Sequence, residues 1–227
     1  MKILVIDIGG THVKVLAAGH KKVSIPSGPG MSPEHMVAAV RDATAGWAYH
    51  AVSIGFPAPV GNGRPLHEPY HLGPGWVRFN FKKAFGRPVK IVNDAAMQAL
   101  GSYRGGQMLF LGLGTGLGSA LIVENKLQPL ELAHLPYRKG RSYEDYLGDA
   151  GLKRLGKKKW RHHVKKVVQL LMAAMEADYV VLGGGNVRLL RELPPGVVRG
   201  KNSFAFRGGY RLWDRRYSGP THKRFRC

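Results

Sequence analysis

The chain of 227 residues is 44% hydrophobic, enough for one large domain or two modest lobes, and no apolar run reaches the roughly eighteen residues of a membrane span. Its single cysteine, Cys227, is the last residue, which excludes a disulfide framework and a cysteine-based zinc site. With 35 basic against 14 acidic residues the net charge is +21, which implies attraction to polyanions such as nucleic acid, an anionic membrane or a long phosphate polymer. No charged leader precedes "KILVID", so a soluble cytoplasmic protein is expected.

Alternating runs over Lys2 to Ile8 and His12 to Ala18 flank a pair of glycines, and Lys21 to Ile25 adds a third strand of a meander. In "SPEHMVAAVRDATAGW" a serine cap, a proline at the first helical position, Glu34, and apolar Met36, Val37, Val40 and Ala43 predict a helix. "AVSIGF" (Ala51 to Phe56) is a buried strand, and the Pro/Gly-rich "PAPVGNGRPLHEPYHLGPGW" after it is long enough to be functional. Strand "VKIVND" then runs into helical "AAMQALGSY", and the order of elements predicts an α/β layer.

From Gln107 the pattern restarts. Ile3 to Ala18 overlays Met108 to Val123 without a gap, each an apolar strand, a glycine turn containing threonine, and a second apolar strand. A polar segment, a helix near Tyr143 to Gly151, a long basic amphipathic helix at about Lys158 to Ala177, and strand "YVVLGGG" before another helix follow. Two similar lobes with a cleft between them are expected. Basic charge concentrates in Arg138 to Lys166 and in Arg207 to Cys227, where it is either a solvated surface or a track for a polyanion.

Glycines let backbone N–H groups approach a ligand, and a run of such donors binds anions, phosphate above all. Neither the P-loop nor the dinucleotide fingerprint is present, so hairpins must hold the ligand. An acid beside a phosphate is repulsive unless a cation lies between them; Asp7 before Gly9, Gly10 and Thr11 therefore implies magnesium, directly or through water, unless Asp7 only opens a tight turn. "VNDA" offers Asn93 and Asp94, as helix caps or as ligands at the mouth of a strand, and "ELAH" offers Glu131 and His134.

Together these ordered segments resemble the ROK family of sugar kinases, within the superfamily that includes actin and heat-shock chaperones. "DIGGTHVK" is similar to the family's first phosphate motif, "LGLGTGLGSALI" to its second and "VVLGGG" to its third. "GFPAPV", "LGPGW", "IVNDA" and "ELAH" resemble, in order, its G-x-P-G-x-V segment, the loop before the active site, the catalytic segment and E-x-G-H, with Ala133 where the family has glycine. The resemblance implies a two-lobed, actin-like (ribonuclease H-like) α/β fold. It implies Asp94 as general base, and Asn93, Asp94, Glu131, His134 and Glu144 on the sugar. Phosphates would lie on Asp7, Gly9, Gly10, Thr11, Lys14, Gly114, Thr115, Gly116, Gly183, Gly184 and Gly185.

Many members carry a cysteine-rich zinc cluster after E-x-G-H, which "LPYRKGRSYEDY" lacks, as polyphosphate glucokinases do. The implied reaction moves a phosphoryl group from ATP or polyphosphate to the 6-hydroxyl of glucose or a similar hexose, with magnesium as cofactor. The alternative is a non-catalytic sugar- or nucleic-acid-binding regulator. Regulatory members carry a DNA-binding segment ahead of the first motif, and Asp7 leaves no room for one. Members often dimerise, which leaves a homodimer as an open expectation. The expected lobes are residues 1–102 with 200–213 packed back on them, and 103–199, followed by a basic tail, 214–227.

Overall fold

The structure, a computed structural model, describes residues 1–217. In chain order its first half consists of β1 (Ile3–Ile8), β2 (His12–Ala17), β3 (Val23–Pro26), α1 (Pro33–Ala43), β4 (Ala51–Phe56), a small hairpin β5 (Val60–Gly61) and β6 (Arg64–Pro65), α2 (Phe81–Phe85), β7 (Val89–Asn93) and α3 (Asp94–Ser102). The second half contains β8 (Gln107–Leu113), β9 (Leu117–Val123), β10 (Lys126–Leu130), a hairpin β11 (Pro136–Arg138) and β12 (Arg141–Ser142), α4 (Glu144–Leu147), α5 (Asp149–Ala174), β13 (Tyr179–Gly183), β14 (Val197–Arg199) and α6 (Phe204–Arg211).

The strands form two five-stranded sheets with one topology, β3-β2-β1-β4-β7 and β10-β9-β8-β13-β14. In each, a meander of three antiparallel strands is extended on the side of its first strand by two parallel ones. The gapless overlay of the two glycine hairpins in the sequence therefore reflects a repeated sheet.

Side-chain alternation divides each sheet into an outer and an inner face. On β1, Leu4, Ile6 and Ile8 pack with Met36, Val37 and Val40 of α1, while Ile3 and Val5 pack with Met97 of α3 and with Ala205 and Phe206 of α6. In the second sheet Leu109, Leu111 and Leu113 of β8 meet Trp160, Val164 and Val168 of α5, and Met108 and Phe110 meet Ala95, Ala96 and Ala99 of α3. The layers thus run α1, first sheet, α3 with α6, second sheet, α5. Because α3 lies between the sheets, its N-terminus is fixed relative to both glycine turns.

The α3–α6 crossing is close: a Cβ on Gly208 would overlap Met97 O, and one on Gly101 would overlap Phe204 O. Ser53 Oγ donates to Gly209 O (2.6 Å) and accepts from Trp213 Nε1 (2.8 Å), while Lys90 Nζ reaches Leu212 O (2.7 Å). These bonds tie residues 209–213 to the inner face of the first sheet.

The structure departs from the sequence expectations at several ends. Strand "VKIVND" stops at Asn93, and Asp94 is already helical. The helix expected near Tyr143 to Gly151 breaks at Gly148, the N-cap of α5, and α5 itself begins at Asp149 and kinks at Gly156 (φ 70°). After the third glycine motif only a 3-10 turn, Gly185–Leu189, forms; Pro194 and Pro195, which lack N–H donors, separate it from β14. Of the expected basic tail, Asp214 to Tyr217 lie within the described residues, Tyr217 edge-on to Tyr103 with centroids 6.3 Å apart; 218–227 lie outside them.

Candidate active site

The inner face of β1 presents Ile3, Val5 and then Asp7, so the alternation that buries the first two in the central layer puts the third on the same face near the end of the strand. Gly55, the register partner of Asp7 on β4, makes space for it; a Cβ there would lie 3.5 Å from Asp7 Oδ1 and would overlap the Met97 methyl. On the other side Asp7 faces Lys14 of β2. Burial pushes the Asp7 carboxyl up, and Lys14 opposes that rise only in part.

The first glycine turn is closed by Gly9 N–H on His12 O (3.0 Å) and braced by Ser27, whose Oγ donates to Gly9 O (2.6 Å) and whose N–H donates to Thr11 O (2.9 Å). His71 of the long loop stands over Gly10, 2.8 Å from where a Cβ would be. Thr11 is exposed, with Oγ1 3.2 Å from His12 Nδ1.

At the start of α3, Asn93 is the N-cap: its Oδ1 accepts from Ala96 N–H (3.2 Å), and its Nδ2 donates to Ala58 O (3.4 Å). The capping role open to either residue thus falls to Asn93, and the half-buried Asp94 accepts from Ala95 N–H at Oδ1 (2.7 Å). Burial, then the charge of Asp7, and to a smaller extent Glu131, push the Asp94 carboxyl up to about 7, against the Ala95 N–H that pulls it down. Asp7 and Glu131 therefore both lie close enough to Asp94 for their charges to act on its carboxyl.

The second turn is reached through α3 as well. Gly118 of β9 packs on Ala95, with only 2.6 Å between the Ala95 Cβ and a Cβ placed at Gly118. The turn closes with Gly114 N–H on Gly116 O (3.2 Å), and Asp149 N–H at the start of α5 donates to Gly114 O (3.0 Å). Asn186 Nδ2 binds Asp149 Oδ1 (2.7 Å) and Gly114 O (3.3 Å), joining the third glycine motif to the second. Gly184, at φ 86°, presses so close to Leu113 that a Cβ would overlap its carbonyl oxygen.

Among the expected sugar ligands, Glu131 and His134 stand together at the exposed ends of a short 3-10 turn, 3.9 Å apart. Glu144 is elsewhere committed: its Oε2 accepts from Leu117 N–H (3.0 Å), against Gly116. The structure thus brings Asp7, Asp94 and Glu131 together, and separately Gly114 to Gly116, Gly183 to Gly185 and Glu144. Ser27, His71 and Asn186 were not expected from the sequence. Of these, only Asn186, directly after three glycines, carried a local signal.

Among the described residues no group of three or more His, Cys, Asp or Glu is placed to hold a metal by itself. The residues present fit magnesium, which takes one or two carboxylates and fills its shell with phosphate oxygens and water: Asp7 lies at the end of β1 just before the glycine turn, with a second acid, Asp94, near enough to feel its charge.

No protein-family model and no curated protein matches the sequence. Solved structures do match. The inorganic polyphosphate/ATP-glucomannokinase of Arthrobacter sp. strain KM is similar over 92% of this chain and 96% of its own, with a TM-score of 0.77 and 23% identity. The chain has the ROK sugar-kinase fold. A ROK family protein from Streptococcus pneumoniae, solved with sucrose, gives a TM-score of 0.76 at 14% identity over 93% of this chain and 98% of that one. A ROK glucokinase from Streptomyces griseus, solved with glucose and AMPPNP, gives 0.70 at 18% over 93% and 99%. Among the described residues no helix is long and apolar enough to cross a membrane.

Proposed function

We propose that the protein is a cytoplasmic hexose kinase that transfers a phosphoryl group from ATP or inorganic polyphosphate to the 6-hydroxyl of glucose or a similar hexose, with Asp94 as general base. The observation that carries this reading is the placement of Asp94, on a helix packed between two glycine turns and beside a second acid, with its carboxyl pushed up to about 7. A general base works best when its pKa lies near the operating pH, because it is then both ionised and basic enough to take a proton.

In the reaction the hexose hydroxyl loses its proton to Asp94 as the oxygen bonds to phosphorus and the bridging P–O bond of the donor breaks, leaving the negative charge on the departing phosphate. Phosphoryl transfer needs positioning and charge neutralisation more than covalent chemistry. In the two turns the Gly9 and Gly114 N–H groups close the backbone, and the N–H groups of Gly10, Thr11, Thr115 and Gly116 would supply it on the donor, with Lys14 and Gly183 to Gly185 flanking them. Magnesium held by Asp7, when bound, would neutralise phosphate charge. Glu131 and His134 would orient the sugar from the exposed rim, with Asn93 at the cap. Glu144 is assigned to bracing Gly116, with a sugar contact from its other oxygen as a secondary role.

Two features bear on the donor. A cavity of about 270 Å³ between α5 and residues 190–194 has an apolar floor (Val164, Val168, Leu182, Leu190) and a charged rim in which Arg161, Lys165 and Arg191 outnumber Glu192, a setting that suits the purine end of a nucleotide. Between Ala150 and Met175 there are eight Lys and Arg and no acid, a setting that suits a phosphate polymer. The lobes of this kinase would be 1–102 with 200–213, and 103–199. The test is a panel of hexoses against ATP and polyphosphate at low and high salt. Hexose 6-phosphate is expected, with any polyphosphate-driven rate falling steeply as salt rises. Failure to phosphorylate any hexose with either donor would overturn the reading.

A further inference from the structure

The segment 131–144 carries Glu131 and His134 at one end and Glu144 at the other, and between them lies the β11–β12 hairpin. A short two-stranded ribbon of this kind is at best marginally stable alone, so something must hold it. Tyr137 of β11 occupies the centre of that contact. Its ring packs against Tyr143 (centroids 5.3 Å), Tyr146 (4.9 Å) and His163 (5.7 Å), and its hydroxyl lies 3.0 Å from His163 Nδ1. His163, on α5, is 9% exposed and packs edge-on against Tyr146 at 4.8 Å.

The chemistry of the surroundings favours a neutral imidazole there. Burial holds the His163 pKa below its ordinary value, and His162, Arg138, Lys166 and Arg154 all act in the same direction. No acid is among those influences. A neutral ring leaves Nδ1 free to accept the Tyr137 hydroxyl proton, which gives the bond one defined direction.

We propose that the Tyr137–His163 hydrogen bond, set in its aromatic cluster, is a clamp that positions the sugar-facing segment 131–144 on α5, and that His163 is a positioning residue for the hexose. This rests on the assignment of Glu131 and His134 to the sugar, and it goes beyond it by placing the control of their position outside the crevice.

Tyr137→Phe removes only the hydroxyl, and His163→Phe removes only the acceptor while keeping a ring. Each is expected to raise the KM for hexose about fivefold, the equivalent of one ordinary hydrogen bond, with kcat and the donor KM within about twofold of wild type. The double variant should be no worse than either single one, since both remove the same bond. A separate readout does not depend on catalysis. The hairpin tip contains Arg138, Lys139 and Arg141, and limited trypsin cleavage there, followed by mass spectrometry on the natively folded protein, should accelerate about fivefold in the single variants. Thermal melting of each variant identifies global unfolding, and His163→Gln, which retains an acceptor, should restore slower cleavage. Unchanged cleavage at 138–141 in Tyr137→Phe, additive effects in the double variant, or equal rises in hexose and donor KM would each overturn the clamp. If the wild type phosphorylates no hexose while Tyr137→Phe is cleaved faster, the clamp stands and the kinase assignment fails.

Discussion

The raised carboxyl of Asp94 makes the pH dependence of the reaction a quantitative test. If a base with a pKa of about 7 must be ionised before hexose reacts, kcat/KM measured with both substrates below saturation should rise about tenfold between pH 6 and pH 8, as the ionised fraction goes from about 9% to about 91%. The second cause of the shift is the charge of Asp7. For like charges roughly 4–6 Å apart, the range in which such shifts arise, the repulsion is about 3–4 kcal/mol at an effective dielectric of about 20, and solvent screening reduces this to the equivalent of about one pH unit. Asp7→Asn should therefore lower the overall rate, because the carboxylate proposed to hold magnesium is lost, and should move the titration of Asp94 in the metal-free protein down by about one unit. Glu131→Gln should move it less, since Glu131 is the smaller contributor. Initial rates across pH 5 to 9, at roughly constant ionic strength, read the acid limb, and carboxyl-carbon NMR of the metal-free protein reads the Asp94 titration. An acid limb below about pH 5 in the wild type, or an unmoved Asp94 titration in metal-free Asp7→Asn, would refute the electrostatic coupling of these carboxylates.

The same ionisation has a stability consequence. The folded carboxyl of Asp94 holds its proton more tightly than the unfolded one, so wild-type stability falls as pH rises from about 4 to about 7 and stays low above that. Asp94→Asn should consequently unfold later than wild type at pH 8, by about 1–3 kcal/mol in urea titration, with the advantage gone near pH 4. For His163 the sign reverses: its lowered pKa means stability is full above about 6.5 and declines below it, and His163→Phe should flatten that decline in thermal melts between pH 5 and 7. Gly208→Ala, whose Cβ would overlap Met97 O, should cost about 3 kcal/mol by forcing α6 off α3. Gly184→Ala, with positive φ and Leu113 O in its way, should raise the donor KM well above any change in hexose KM, as measured by steady-state kinetics.

Much of this architecture was legible in the sequence because local patterns agree with the fold. Ser32, Pro33 and the apolar spacing announce α1, and its cap bond from His35 N–H forms as expected, at 3.3 Å. The overlay of Ile3 to Ala18 on Met108 to Val123 is legible because each strand must bury alternate residues on two faces around a bare turn. What the sequence could not show is tertiary. Ser27 braces Gly9 from the end of a neighbouring strand, and His71 reaches Gly10 from a loop sixty residues on, so neither leaves a local signal. The choice between Asn93 and Asp94 as cap was open in the sequence because both residue types cap well; the geometry gives the cap to Asn93. Glu144 could be placed near the site by resemblance, whereas its bond to Leu117 N–H depends on how α4 meets β9.

The most direct test compares hexose 6-phosphate formation by wild type and Asp94→Asn, with hexose binding to the variant followed by calorimetry. The account predicts that turnover drops by about a hundred- to ten-thousandfold while the sugar still binds within a few fold of wild-type affinity. Turnover by Asp94→Asn close to that of the wild type would contradict it.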